Sequence, residues 1–151
     1  MIRIIACGKL KEPYLVNMAE DYFKRINKYH KIEIIELPDS NPKEEGNKIL
    51  SKLTNKSFKI ALSIQGQKIN SINFSKLIDK SLMNYGNIDF IIGGSEGLSP
   101  EVLKTVNYEL SFSDLTFPHG LFRAILLEQI YRGFKIINNE TYHKWGKLWK
   151  I

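Results

Sequence analysis

Ile88-Asp89-Phe90-Ile91-Ile92-Gly93-Gly94-Ser95-Glu96-Gly97-Leu98-Ser99-Pro100-Glu101 is the stretch on which the fold turns. Ile88 to Ile92, apolar at every position but Asp89, has the length expected for a buried strand. Gly93 to Leu98 is a glycine-rich loop. Ser99-Pro100-Glu101 then opens a helix, with a capping hydroxyl, a proline in the first turn and an acid near the positive end of the dipole. Strand, glycine loop, helix is the unit from which open α/β sheets are built, and it repeats on both sides of this stretch.

Toward the N-terminus, Ile2 to Cys7, Lys31 to Leu37 and Phe58 to Ile64 read as three further strands, each closed by a turn residue: Gly8, Pro38 and Gln65-Gly66. Between them lie helical patterns. After Pro13, the residues Leu15, Ala19, Tyr22, Ile26 and Tyr29 fall on one helix face, and Lys43 to Leu53 places Ile49, Leu50 and Leu53 inward. A third helix, capped by Ser71 or Asn73, runs to about Tyr85 and is broken by Gly86-Asn87. Toward the C-terminus, the Ser99 helix ends near Asn107. Tyr108 to Phe112 reads as a fifth strand, Ser113 to Gly120 as a loop and Leu121 to Ile137 as the longest helix. Five strands alternating with five helices predict one α/β domain over 1–151, with a mainly parallel sheet flanked by helices. The final helix carries Leu121, Phe122, Ile125, Leu126, Ile130, Phe134 and Ile137, more than one apolar stripe, so part of it is expected to face another subunit.

The 151 residues include 22 Lys and Arg against 16 Asp and Glu, a net charge of +6, which favours a polyanionic partner such as nucleic acid. The single cysteine, Cys7, excludes an internal disulfide and a cysteine-rich zinc site. His30, His119 and His143 are scattered, with no carboxylate cluster at ligand spacing, so no metal is expected. His30 ends the first helix, where a cation suits the dipole. Met1 to Ala6 reads as a strand rather than a leader, and no apolar run approaches the roughly 20 residues of a membrane span. The expectation is a cytoplasmic protein without a membrane partner.

In parallel sheets, ligands sit beyond the carboxyl ends of the strands. Three such ends are unusual: Ile64-Gln65-Gly66, the Gly93 loop, and Phe112-Ser113-Asp114-Leu115-Thr116-Phe117-Pro118-His119-Gly120. Glycines there permit sharp turns or close approach of a ligand. Gly93-x-Ser95-x-Gly97 also matches the nucleophile elbow of serine hydrolases, with Asp114 and His119 or His143 in the right chain order. An elbow, however, needs its helix to start directly after the serine, whereas the helix signal here comes four residues later. No dinucleotide G-x-G-x-x-G or Walker lysine motif is present. Lys9, Lys11, Arg123, Arg132, Lys135 and Lys144 border the strand ends and suit phosphates. Trp145 and Trp149 suit base stacking or packing.

These segments together resemble one family. Ala61-Leu62-Ser63-Ile64-Gln65-Gly66, Phe90 to Leu98, Leu110 to His119 and Tyr142-His143-Lys144, with Ala6-Cys7-Gly8-Lys9-Leu10-Lys11 at the start, resemble the ribosomal RNA large subunit methyltransferase H family, in order and over nearly the whole chain. The resemblance implies the SPOUT class: an α/β fold with a C-terminal trefoil knot, acting as a homodimer. It implies transfer of a methyl group from S-adenosyl-L-methionine to N(3) of a pseudouridine in 23S ribosomal RNA, on the assembled ribosome. By matching positions it implies cofactor contacts at Leu62, Gly93 and Phe112, Ser113, Asp114, Leu115, Thr116 and Phe117. It implies catalytic roles for His143 as a general base, Tyr142 in stacking on or positioning the nucleobase, and Arg123 or Lys144 in stabilising its deprotonated form. RNA contacts are expected at Lys9, Lys11, Arg123 and Lys144. The chain departs from the family pattern in continuing past Lys144 through Trp145 to Ile151. Two other readings compete: a ribosome-binding protein with a vestigial pocket, and a hydrolase using Ser95.

Overall fold

A computed structural model describes residues 1–144. Its strands are β1 (Ile2–Cys7), β2 (Ile32–Leu37), β3 (Phe58–Lys68), β4 (Ile88–Ile92) and β5 (Tyr108–Ser111). Its helices are α1 (Pro13–Asn27), α2 (Pro42–Lys52), α3 (Ser71–Tyr85), α4 (Pro100–Leu103) and α5 (His119–Ile137). The strands form one sheet in the order β2-β1-β4-β3-β5, and every neighbouring pair is parallel.

Each strand divides its side chains between two layers, because successive residues point to opposite faces. Ile2, Ile4 and Ala6 of β1 pack with Ala19 and Ile26 of α1, Phe74 and Ile78 of α3, and Leu127, Ile130 and Phe134 of α5. Ile5 and Cys7 turn to the other face, where Ile49 of α2 and Val102 of α4 cover them. β4, inside the sheet and covered on both faces, is buried at all 5 residues, which is why Ile88 to Ile92 is apolar at every position except Asp89. Each fully buried Ile or Leu contributes on the order of 1.5–3 kcal/mol.

The helix termini follow their local chemistry. Asn41 caps α2 by accepting from the Glu44 amide, and Ser99 caps α4 by accepting from Val102. The cap of α3 is Asn70, whose side chain accepts from Asn73 at 2.8 Å, and not Ser71 or Asn73 as expected. Gly86 closes α3 in the left-handed region at φ 76°. α4 is a single turn rather than a helix reaching Asn107. His30 differs from its expected dipole role. It accepts from the Met1 amine at 3.1 Å and lies over Phe134, and burial together with that amine lowers its pKa.

α5 begins at His119, two residues before the expected start, and lies between α1 and α3 on one face. Its Ala124, Leu126, Leu127, Ile130, Tyr131, Gly133 and Phe134 are buried within the chain, leaving Leu121, Phe122 and Ile125 half-buried. Of the seven apolar residues that suggested a second subunit, Leu126, Ile130 and Phe134 are used internally, while Leu121, Phe122, Ile125 and Ile137 stay half-buried. His119 Nε2 donates to the Cys7 carbonyl at 2.6 Å, and Arg123 donates to the Gly8 carbonyl at 2.9 Å. The segment after β5 thus carries the chain from the sheet edge to the carboxyl end of β1, three strand positions away.

Candidate functional site

β3 runs on to Lys68, four residues past its expected end, because it bulges. Leu62 and Gln67 both pair with Leu110, so residues 63–66 loop out of the ladder. Gly66 makes the return possible: a Cβ there would lie 2.6 Å from the Glu109 carbonyl carbon. The bulge and the segment after β5 enclose a cavity of 180 Å³. Leu62, Ser63 and Ile64 form one wall, and Ser111, Phe112, Ser113, Leu115, Thr116 and Phe117 form the other.

The second wall is held by its own side chains. Ser111 Oγ donates to the Ser113 carbonyl at 3.1 Å, and Ser113 Oγ accepts from the Leu115 amide at 3.0 Å. Phe122 meets Phe112 edge-on at 5.1 Å and stacks on Phe117 at 6.2 Å. The amides of Asp114, Thr116 and Phe117 have no hydrogen-bond partner among the described residues. An apolar slot edged by hydroxyls and undirected peptide groups suits a planar heteroaromatic ring with donors and acceptors on its rim. Six of the eight expected cofactor residues line this cavity. Asp114 instead points outward and pairs with Lys68.

Gly93 also lies outside the lining, at the end of β4. Its lack of a side chain serves the loop itself: a Cβ would lie 2.8 Å from the Gly97 carbonyl carbon, where Gly94 and Gly97 close a turn. Ser95 is exposed on that turn, α4 begins only at Pro100, and no described histidine bonds to Ser95. The geometry is not that of a nucleophile elbow.

A larger cavity of 540 Å³ adjoins the first and shares Leu110, Phe112 and Phe117 with it. Ile69 to Ile72 at the start of α3, Phe74 of α3, Ile125 and Gln129 of α5, and His143 complete its lining. Ser71 Oγ donates to Gln129 at 2.7 Å and ties the two helices together there.

The tail reaches this cavity through a polar cluster on α5 and α1. Tyr142 packs edge-on against Tyr131 at 4.9 Å, beneath the Arg132 guanidinium, also at 4.9 Å. Its hydroxyl donates to Glu128 Oε2 at 3.0 Å and meets Tyr22 Oη at 3.4 Å. Burial, with the Glu128 carboxylate beside it, pushes the Tyr142 phenol pKa well up. The ring and hydroxyl are therefore engaged by Tyr131, Arg132, Glu128 and Tyr22. Arg132 bonds Glu128 and, through NH1, His143 Nδ1 at 3.0 Å.

Arg123 occupies a different place from the one its charge suggests. It is 2% exposed, pairs with Glu36 and donates to the Gly8 carbonyl. It joins α5 to the ends of β1 and β2 and presents no open cation to RNA. Lys9, Lys11 and Lys144 are exposed. Trp145 and Trp149 lie outside the described residues. Glu128 and Tyr22 were not foreseen; the four-residue spacing of Glu128 and Arg132 was the available signal. Among the described residues, no helix is long and apolar enough to cross a membrane, and no three His, Cys, Asp or Glu side chains are grouped to hold a metal.

The family model described as predicted SPOUT methyltransferase matches residues 1–143. The chain is 47% identical over 157 aligned positions to ribosomal RNA large subunit methyltransferase H 1 of Clostridium perfringens, covering 95% of this chain and 99% of that protein. It is 46% identical to the Clostridium tetani ribosomal RNA large subunit methyltransferase H, with the same coverage. A probable methylase family protein from Haemophilus influenzae shares the fold, with a TM-score of 0.55 at 14% identity over 95% of this chain and 69% of that one. With its parallel sheet and its cavity between the β3 bulge and the segment after β5, the chain belongs to the ribosomal RNA large subunit methyltransferase H family of SPOUT methyltransferases.

Proposed function

We propose that this protein transfers a methyl group from S-adenosyl-L-methionine to N(3) of a pseudouridine in 23S ribosomal RNA, with the assembled ribosome as substrate and a homodimer as the working form. The observation that carries the reading is the pair of adjoining cavities sharing Leu110, Phe112 and Phe117, in a chain 47% identical to a ribosomal RNA methyltransferase. The smaller would hold the cofactor's adenine between Leu62, Ile64 and Leu115, with the Thr116 and Phe117 amides at its rim. Bound there, the cofactor supplies an electrophilic methyl group.

The protein's part is orientation and exclusion of water, which together supply much of the barrier reduction in a transfer of this type. The larger cavity has the position and the mixed lining to receive an extruded nucleobase: Ile69, Ile72 and Ile125 offer apolar contact, and Asn70, Gln129 and His143 offer hydrogen bonds. Lys9, Lys11 and Lys144 are exposed cations suited to backbone phosphates. The chain's +6 charge supports a polyanionic substrate.

The deciding experiment is methyl transfer from labelled S-adenosyl-L-methionine to whole ribosomes and to free ribosomal RNA, both from a strain lacking the modification, followed by nucleoside analysis. Label in N(3)-methylpseudouridine from ribosomes, and not from free RNA, is the expected result. Absence of both incorporation and cofactor binding would overturn the enzyme reading in favour of a ribosome-binding protein with a vestigial pocket.

A further inference from the structure

We infer that Glu128 and Arg132 hold His143 as the Nε2–H tautomer, so that its ring donates a hydrogen bond to a nucleobase carbonyl and does not take the proton from the methyl-accepting nitrogen. The inference rests on the proposed function and assigns roles within that site.

The argument starts at one contact. Arg132 NH1 lies 3.0 Å from His143 Nδ1. A guanidinium has donors and no acceptor, so this contact is a hydrogen bond only when Nδ1 offers its lone pair. In a neutral imidazole one nitrogen accepts and the other carries the proton, which places the proton on Nε2. A protonated ring would set N–H against N–H and bring two cations together.

Arg132 is not free to turn away. Its Nε and NH2 donate to Glu128 Oε2 at 3.1 and 2.7 Å, and its plane lies over Tyr142. The ion pair is well covered, with 14% and 13% of the two side chains exposed. Tyr142 in turn donates to Glu128, so the carboxylate fixes both the cation and the residue preceding the histidine. Lys144 follows on the tail, while the lining residues at the start of α3 are uncharged. His143 lines the 540 Å³ cavity, and Nε2 has no partner among the described residues.

A uracil-type base carries its N3–H between two carbonyls. As that N–H bond breaks, negative charge spreads onto both oxygens, and a donor at either one stabilises it. The proton passes to solvent before the base is sequestered from water; the N3–carbon bond then forms, and the sulfur–methyl bond breaks with its electron pair left on sulfur as the thioether. His143 begins and ends with the same proton on Nε2.

The test combines a spectroscopic and a kinetic arm. A long-range ¹H–¹⁵N spectrum of the whole protein, with His143 assigned by its loss in His143→Gln, should show the Nε2–H pattern at pH 7.5. Arg132→Met should mix the tautomers, and Arg132→Lys should restore the single form in part. In methyl transfer to ribosomes, His143→Gln, whose amide is able to donate from the Nε2 position, should retain kcat within about 10-fold, whereas His143→Phe should lose about 100-fold or more. A wild-type Nδ1–H pattern overturns the inference. So does a kcat acid limb that disappears in His143→Gln, or an equal collapse of the Gln and Phe variants, as a lost general base would produce. If the wild-type protein transfers no methyl group, the functional reading and the donor role fall together, while the spectrum still decides the tautomer.

Discussion

Arg3 and Asp89 are register partners in β1 and β4, joined by hydrogen bonds of 2.8 Å to one carboxylate oxygen and 2.9 Å to the other. Asp89 is 1% exposed and also accepts from Ser57 Oγ at 2.6 Å, while Arg3 donates onward to the Lys52 carbonyl. The bond to Asp89 raises the Arg3 pKa further. One buried carboxylate thus ties together the starts of β1, β3 and β4 and the end of α2. Removing one partner of such a pair strands the other. Asp89→Ala should cost about 3–5 kcal/mol, read as a lower urea midpoint at unchanged slope. A loss under about 1 kcal/mol would show that the network is replaceable by solvent.

Tyr142→Phe removes the bonds to Glu128 and Tyr22 but keeps the ring against Tyr131. The hydrogen bond is worth about 0.5–1.5 kcal/mol, so kcat should fall about 2- to 13-fold with the cofactor Kd unchanged. A loss of 100-fold or more would mean that the ring or hydroxyl touches the nucleobase directly.

Leu62→Trp places an indole into the 180 Å³ cavity. Cofactor affinity by calorimetry should drop at least about 10-fold, the equivalent of 1.4 kcal/mol, with the fold retained by circular dichroism. Unchanged affinity would place the cofactor elsewhere.

Cys7 is buried, and desolvation, followed by the nearby Glu45 and Asp39 carboxylates, pushes its thiol from the ordinary 9.0 up to about 11. The native state therefore keeps the proton that the unfolded chain loses. This contribution is complete below pH 9 and fades as pH rises from 9 toward about 11. Native protein at pH 8 should be unreactive to a thiol reagent until denaturant is added, and Cys7→Ala should flatten the stability loss above pH 9. Rapid native labelling would contradict the burial.

Lys9, Lys11 and Lys144 are exposed cations, unlike Arg123. Changing each to Ala should weaken binding to ribosomal RNA and reduce the slope of log affinity against log salt by about 0.7–0.9 for each phosphate that is no longer neutralised. An unchanged slope would show that these lysines do not meet phosphate.

The sequence by itself determined the alternation of strands and helices and the parallel class. Ile88 to Ile92 is buried on both faces and is apolar at every position but Asp89, and Asn41 and Ser99 cap helices through atoms carried in the local chain. The cavity residues at the strand ends were legible through resemblance, which matched Leu62 with the distant run from Phe112 to Phe117. Tertiary structure alone decided the rest. β3 reaches Lys68 because its partner β5 takes it up again after a bulge, and the exposed Ile64 and Gln65 give no periodic signal of that. α5 starts at His119 without a side-chain cap, since the Cys7 carbonyl, 112 residues away in sequence, fixes the ring there. Arg123 and Arg132 look alike as letters. One is buried against Glu36 and Gly8, and the other holds His143 at the cavity, because the environment of a cation depends on which distant carboxylates and carbonyls the fold brings to it.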